Sequence, residues 1–171
     1  MDGEVSMSFI SVIKNDLSRI AKPTLANAMR QYFMPRGEMF PFVLWFRILQ
    51  VVRKSKIAKL MLGPVVYWKM RCLEFKYGIH ANANIEIGPG LHIVHGSCHL
   101  NAAKIGKNFT VRQFVTIGEH NGGRPIIGDN VTINPSAVVV GPIKLGDGCT
   151  IGALSYVSHD VPPGKVVKGV W

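Results

Sequence analysis

The sequence predicts a mainly β protein in which a solenoid of hexapeptide repeats, residues 79–171, follows an N-terminal α-helical appendage, residues 1–78. Three observations carry that prediction. Aliphatic residues recur every six positions: Ile87, Ile93, His99, Ile105, Val111, Ile117, then Ile127, Ile133, Val139, Leu145, Ile151 and Val157, with His99 the one exception in kind. A second, mostly small or apolar class recurs four residues later: Leu91, Ser97, Ala103, Phe109, Val115, Val131, Ala137, Ile143, Cys149 and Ser155. Glycine follows the aliphatic residue in pairs such as Ile87-Gly88, Ile105-Gly106, Ile127-Gly128 and Ile151-Gly152, where a turn needs backbone freedom. A fixed short period marks a solenoid. Six residues match neither the 3.6 of a helix nor the 2 of a flat strand.

Each hexad supplies one short strand and one turn, so three hexads close a triangular coil of eighteen residues. Both recurring classes point inward, and coils stack by backbone hydrogen bonds. Four coils fit between Ile87 and Pro162. Ten residues instead of six separate Ile117 from Ile127, which places a four-residue insertion within Glu119-His120-Asn121-Gly122-Gly123-Arg124.

In chain order, a helix is expected over Ser8 to Ile20 and a second after Pro23, since proline suits a first helical turn. Pro35-Arg36-Gly37 reads as a break. A helix from Pro41 to Ser55 follows, Gly63-Pro64 interrupts the next, and Tyr67 to Phe75 completes the appendage before Lys76-Tyr77-Gly78 hands over to the solenoid. Ile79 to Glu86 reads as an irregular first strand, and Val161-Pro162-Pro163-Gly164 as the end of the last coil.

A chain of 171 residues has room for one main domain and a smaller appendage. Cys72, Cys98 and Cys149 have no metal-ligand spacing and read as reduced thiols, Cys149 on an inward position. Asp2 and Glu4 stand where a signal peptide needs basic residues, and no apolar run is long enough to span a bilayer, so a cytoplasmic location is expected, with the inner membrane face as a peripheral option. The net charge of +10 is uneven: residues 1–78 hold thirteen Lys/Arg against five Asp/Glu, residues 79–171 seven against five. No nucleic-acid reader motif accompanies the basic excess. Anionic lipid or lipid-linked glycan is the other partner class for such a surface. Met39 to Met70 mixes Phe40, Phe42, Trp45, Phe46 and Ile48 with Arg47, Arg53, Lys54, Lys56 and Lys59; it suits an interfacial helix or a helix packed on its own solenoid or a neighbouring subunit.

The chemistry depends on what stacks. Residues eighteen apart, or twenty-two across the insertion, lie on successive coils, so His95 heads a column through Gln113, Pro135 and Ala153. Rungs about 4.8 Å apart put His95 and Ala153 roughly 14 Å apart along the axis, comparable with the pantetheine arm of coenzyme A. Gly152, beside Ala153, belongs to the same donor groove, and Lys165 and Lys168 are candidates for the nucleotide phosphates. His120, Asn121 and Arg124 in the insertion are the candidate acceptor-binding residues, on a segment able to act as a lid. His92, His95 and His99 fall at the sixth, third and first places of the repeat and point different ways, so no metal site is expected; His99 reads as a core histidine.

Several stretches resemble the left-handed parallel β-helix acyltransferases, in their serine acetyltransferase and polysaccharide O-acetyltransferase branch. They are Gly88-Pro-Gly-Leu-His-Ile-Val-His-Gly96, Thr116-Ile-Gly118, Arg124-Pro-Ile-Ile-Gly-Asp-Asn-Val131, Gly141-Pro-Ile-Lys-Leu-Gly146, Ile151-Gly-Ala153 and Val161-Pro-Pro-Gly164. In the helical part, Lys14-Asn-Asp-Leu17 and Phe46-Arg-Ile48 are similar too. The resemblance implies a homotrimer, or a multiple of it, with sites between subunits, acetyl-CoA as donor and His95 as catalytic base. Imidazole suits that role, because it changes protonation near neutral pH and can take a hydroxyl proton as the oxygen attacks a thioester.

This chain departs from serine acetyltransferases where that family places acidic residues: Val94 precedes His95, and Lys22-Pro23 replaces a helical Asp-Pro pair. Arg124 also stands where the family has a second histidine. These departures favour a saccharide acceptor, a polysaccharide precursor or surface glycan. Serine O-acetyltransferase is the alternative enzyme, and a non-catalytic β-helical scaffold the alternative of another class.

Overall fold

The computed structural model describes residues 8–34 and 38–171; the expected break at Pro35-Arg36-Gly37 and the N-terminal Asp2 and Glu4 lie outside the described residues. Four helices precede the solenoid: α1 (Phe9–Ser18), α2 (Leu25–Phe33), α3 (Phe40–Lys54) and α4 (Lys56–Tyr77). Thr24 and Ser55 cap α2 and α4 by accepting from the Asn27 and Ala58 amides. α3 turns Phe40, Phe42, Phe46, Leu49 and Val52 inward, and the Met39 amide donates to the Ile93 carbonyl, so this helix packs on its own solenoid. α4 runs unbroken through Gly63-Pro64, contrary to the expected interruption. The carbonyl that proline leaves without a helical donor is that of Leu60, on the exposed side of the helix. Gly78 ends α4 in the left-handed region, at φ 66°.

The solenoid is a left-handed parallel β-helix of about five turns. Its first face stacks β1 (His80–Ala81), β4 (His99–Leu100), β7 (Thr116–Gly118), β10 (Val138–Val140) and β13 (Tyr156–Val157). The second stacks β2 (Glu86–Ile87), β5 (Lys104–Ile105), β8 (Ile126–Ile127) and β11 (Lys144–Leu145). The third stacks β3 (His92–Ile93), β6 (Thr110–Val111), β9 (Thr132–Ile133), β12 (Thr150–Ile151) and β14 (Val166–Val167). Coiling therefore extends further at both ends than expected. Ile79 to Glu86 forms a corner and parts of two strands instead of one strand, and β14 with the Tyr156–Val170 bridge continues past Pro162.

Eleven of the twelve first-class positions are buried as expected. The exception follows from a one-residue slip. Seven residues separate Ile93 from Leu100, where six separate Val111 from Ile117, and five then separate Leu100 from Ile105. Leu100, not His99, pairs with Ile117, and Cys98, Leu100 and Ala102 fill the interior in place of Ser97, His99 and Ala103. A Leu buried here is worth about 2 kcal/mol more than an imidazole left half-solvated, which decides the register.

The repeat glycines serve space more than conformation. Gly106 and Gly128 have ordinary φ, and a Cβ on either would strike the backbone of the next coil and the carboxylate of Asp129 or Asp147. Those carboxylates accept from the Lys107 and Asp129 amides at 2.7 Å, tying each corner to the next.

A buried ion pair clamps the appendage to the first full coil. Asp16 accepts from the Gly90 and Leu91 amides at 2.7 and 2.8 Å and from Arg47 Nε at 2.9 Å. Arg47 also donates to the Ile87 and Gly88 carbonyls, both at 2.6 Å. Every charged atom of the pair thus has a partner, the condition for keeping ions in an apolar interior.

Candidate active site

The extra residue of the slip lies in the corner between β3 and β4, and that corner carries His95. On the other coils this corner has one left-handed residue: Phe114, Ser136 or Leu154, at φ 60°, 60° and 59°. Here there are two, His95 at 59° and Ser97 at 61°. His95 is exposed, and among the described residues its imidazole makes no hydrogen bond. The following residue must be glycine, since a Cβ at Gly96 would overlap the Tyr77 carbonyl oxygen. Asn101, the polar residue that follows Leu100, is taken up by Asn82, whose Nδ2 donates to its Oδ1 at 3.0 Å.

Beyond His95 the same corner descends through Gln113 and Pro135, both half-buried, to Gly152 and exposed Ala153. The coils join here through the Ser136 amide to the Gln113 carbonyl and the Leu154 amide to the Pro135 carbonyl. Gln113 Oε1 is buried without a hydrogen-bond partner among the described residues, an acceptor available to a donor lying along the corner. Lys168 ends the column, its side chain 3.1 Å from where a Cβ on Gly152 would stand. Lys165 is separate: its ammonium sits over the Trp171 ring at 4.3 Å.

A shallow groove of about 310 Å³ opens beside the His95 corner, lined by Gly78, His80, Ser97, Cys98, His99, Phe114, Val115 and Thr116. His80 and His99 pair in register on its floor, both exposed. His99 therefore belongs to the outer surface next to His95, and not to the core. The sequence signal for this was the neighbour Leu100, a better inward residue than His99; His80 had no signal of its own.

The insertion forms a miniature hairpin in which His120 and Gly123 exchange both backbone hydrogen bonds, at 3.0 and 3.2 Å. Asn121 and Gly122 occupy its tip with φ of 50° and 75°, the tight turn that Asn-Gly favours. The hairpin leans on Pro142 and leads to half-buried Arg124. It sits between β7 and β8, at a different corner of the triangle from His95. One chain therefore does not bring His120, Asn121 and Arg124 together with His95.

The two buried thiols of the solenoid are unsuited to covalent chemistry. Burial pushes the Cys98 thiol up to about 12, and burial first, with Asp147 adding to it, pushes Cys149 up to about 11. His92 is turned away from His95 and meets Glu38 across 2.5 Å. Among the described residues no three His, Cys, Asp or Glu gather as metal ligands.

A serine acetyltransferase of Bacillus subtilis is 30% identical over 172 residues, covering 95% of this chain and 75% of the relative. The chain belongs to the serine acetyltransferase family. Within it, residues 124–159 match the bacterial transferase hexapeptide (six repeats) model. Among solved structures of the family, the serine acetyltransferase of Neisseria gonorrhoeae in complex with serine aligns with a TM-score of 0.73 at 25% identity, over 93% of this chain and 66% of that one. A serine acetyltransferase in complex with CoA shares the fold, with a TM-score of 0.75 at 19% identity, over 95% of this chain and 67% of that one. Against several further serine acetyltransferases this family member spans about half of the relative's own length.

Proposed function

We propose that this chain transfers the acetyl group of acetyl-CoA to an alcohol hydroxyl, with His95 as general base. The observation that carries the proposal is the placement of His95, left-handed and solvent-facing in a corner one residue longer than its counterparts, at the head of a column of mostly small residues. His95 removes the hydroxyl proton as the oxygen attacks the thioester carbonyl, and returns it to the sulfur as the thiol leaves. Gln113, Pro135, Gly152 and Ala153 would border the pantetheine arm, with Lys168 near the phosphates; Lys165, held on Trp171, is the weaker phosphate ligand. No cysteine nucleophile enters, in keeping with the raised thiols of Cys98 and Cys149.

Serine is the acceptor that the relatives favour, since each is a serine acetyltransferase, and it displaces the saccharide as the first reading. A saccharide hydroxyl remains the second reading on one specific ground: Val94 and Lys22 stand where the family carries acids suited to an ammonium group. The site is shared in a homotrimer, because the insertion hairpin with His120, Asn121 and Arg124 occupies a different corner from His95 and reaches an imidazole only on a neighbouring subunit. Thiol release from acetyl-CoA, measured with serine and with a panel of sugars, tests the proposal. Acceleration by serine supports the first reading, acceleration by a sugar alone the second, and none by any hydroxyl overturns acetyl transfer.

A further inference from the structure

α4 buries one side against α3 through Gly63, Val66, Met70 and Leu73 and turns a second apolar side outward. Ile57, Met61, Pro64, Trp68, Cys72 and Phe75 recur at intervals of four, three, four, four and three residues and so form one stripe along the helix. The large members are far more exposed than core-type residues should be: Ile57 72%, Met61 73%, Trp68 69% and Phe75 75%, with Leu60 at 82% beside them. Such a continuous apolar surface marks a docking face.

The charges around the stripe choose the occupant. α4 carries Lys56, Lys59, Lys69, Arg71 and Lys76 against one acid, Glu74, which is paired with Arg71 at 2.8 Å. Lys56 and Arg71 flank the stripe on one side, Lys69 and Lys76 on the other. A second copy laid along this helix would bring like charges face to face, where helix pairs of this spacing normally place opposite ones. An anionic surface matches both the apolar stripe and its basic borders. Among the described residues no helix is long and apolar enough to cross a membrane, so α4 would lie on the bilayer along its length of about 33 Å.

We infer that α4 is a peripheral membrane anchor, seating its Ile57–Phe75 stripe in the interface of a bilayer containing anionic lipid.

The test is co-sedimentation of the full chain with vesicles of phosphatidylcholine containing about one-third phosphatidylglycerol, with light scattering on the same samples without lipid. Binding to the anionic vesicles, little to pure phosphatidylcholine and loss at high salt are expected. Trp68→Glu should weaken binding by roughly tenfold or more, the cost of removing one large apolar side chain from the interface. It lies opposite Val66, Met70 and Leu73, and circular dichroism checks that the helix persists. The triple change Lys56→Gln, Lys69→Gln and Lys76→Gln leaves every apolar contact in place and should also abolish preference for the anionic vesicles. Failure to sediment with them, or equal sedimentation with neutral vesicles, overturns the inference. So does a fall in particle mass on Trp68→Glu without vesicle binding, which would make a second copy the occupant.

Discussion

His95 holds a left-handed backbone that costs a non-glycine residue about 1–2 kcal/mol. That cost is met by the corner around it, where Gly96 abuts Tyr77 and Ser97 donates its amide to the Tyr77 carbonyl at 2.8 Å. The side chain itself contributes nothing visible to the fold. His95→Gln should therefore fold normally and lower turnover by about 10² to 10⁴ fold, the scale of a lost general base. Thiol-release kinetics beside a melting curve check this; near-normal turnover would remove His95 from the mechanism. Asp16 is the opposite case, buried and saturated with donors. Asp16→Ala strands the Arg47 guanidinium in the interior and should cost about 3–5 kcal/mol of stability, read by urea unfolding. A loss below about 1 kcal/mol would mean that the clamp between helices and solenoid lies elsewhere.

At the scale of elements, the corner column is the part most open to direct perturbation. Ala153 is exposed while Ile151 and Ser155 on either side are buried, so bulk at 153 projects outward without disturbing the interior. Ala153→Trp should raise the Michaelis constant for acetyl-CoA at unchanged melting temperature. Unfolding would show that residue 153 does not project outward, and an unchanged Michaelis constant in the folded variant would show that the column does not border the donor. The helical elements divide similarly between packing and exposure. α3 covers its apolar residues against the solenoid, whereas α4, with comparable composition, keeps a second apolar side free. Periodicity within either helix registers an apolar side but not which neighbour covers it, which is why Met39 to Met70 reads from sequence as a single ambiguous segment.

For the whole molecule, the separation of His95 and the insertion hairpin onto different corners makes assembly a functional question. In the proposed homotrimer, closed cyclic association would set the hairpin of one chain against the His95 corner of the next. Light scattering should give three times 18.8 kDa, or a multiple of it. Mixing His95→Gln chains with chains carrying His120→Ala and Arg124→Ala should regain part of the activity that each lacks alone, because some interfaces then combine two intact halves. A fully active monomer, or no recovery in verified mixed trimers, would refute the shared site.

The hexad period by itself determined the stacked coils and most of the interior, because a repeat in phase with the triangular turn faces the same positions inward on successive coils. It also placed the insertion and three of the helices. Only the tertiary structure decided the register from His95 to Lys104, where Leu100 outcompetes His99 for the interior and turns an expected core histidine into a groove residue. The same holds for α4, whose Pro64 is a local break signal overridden by packing of Gly63, Val66 and Met70 against α3. Both outcomes rest on competition between a local preference and burial elsewhere in the molecule, and a one-dimensional pattern contains only the first.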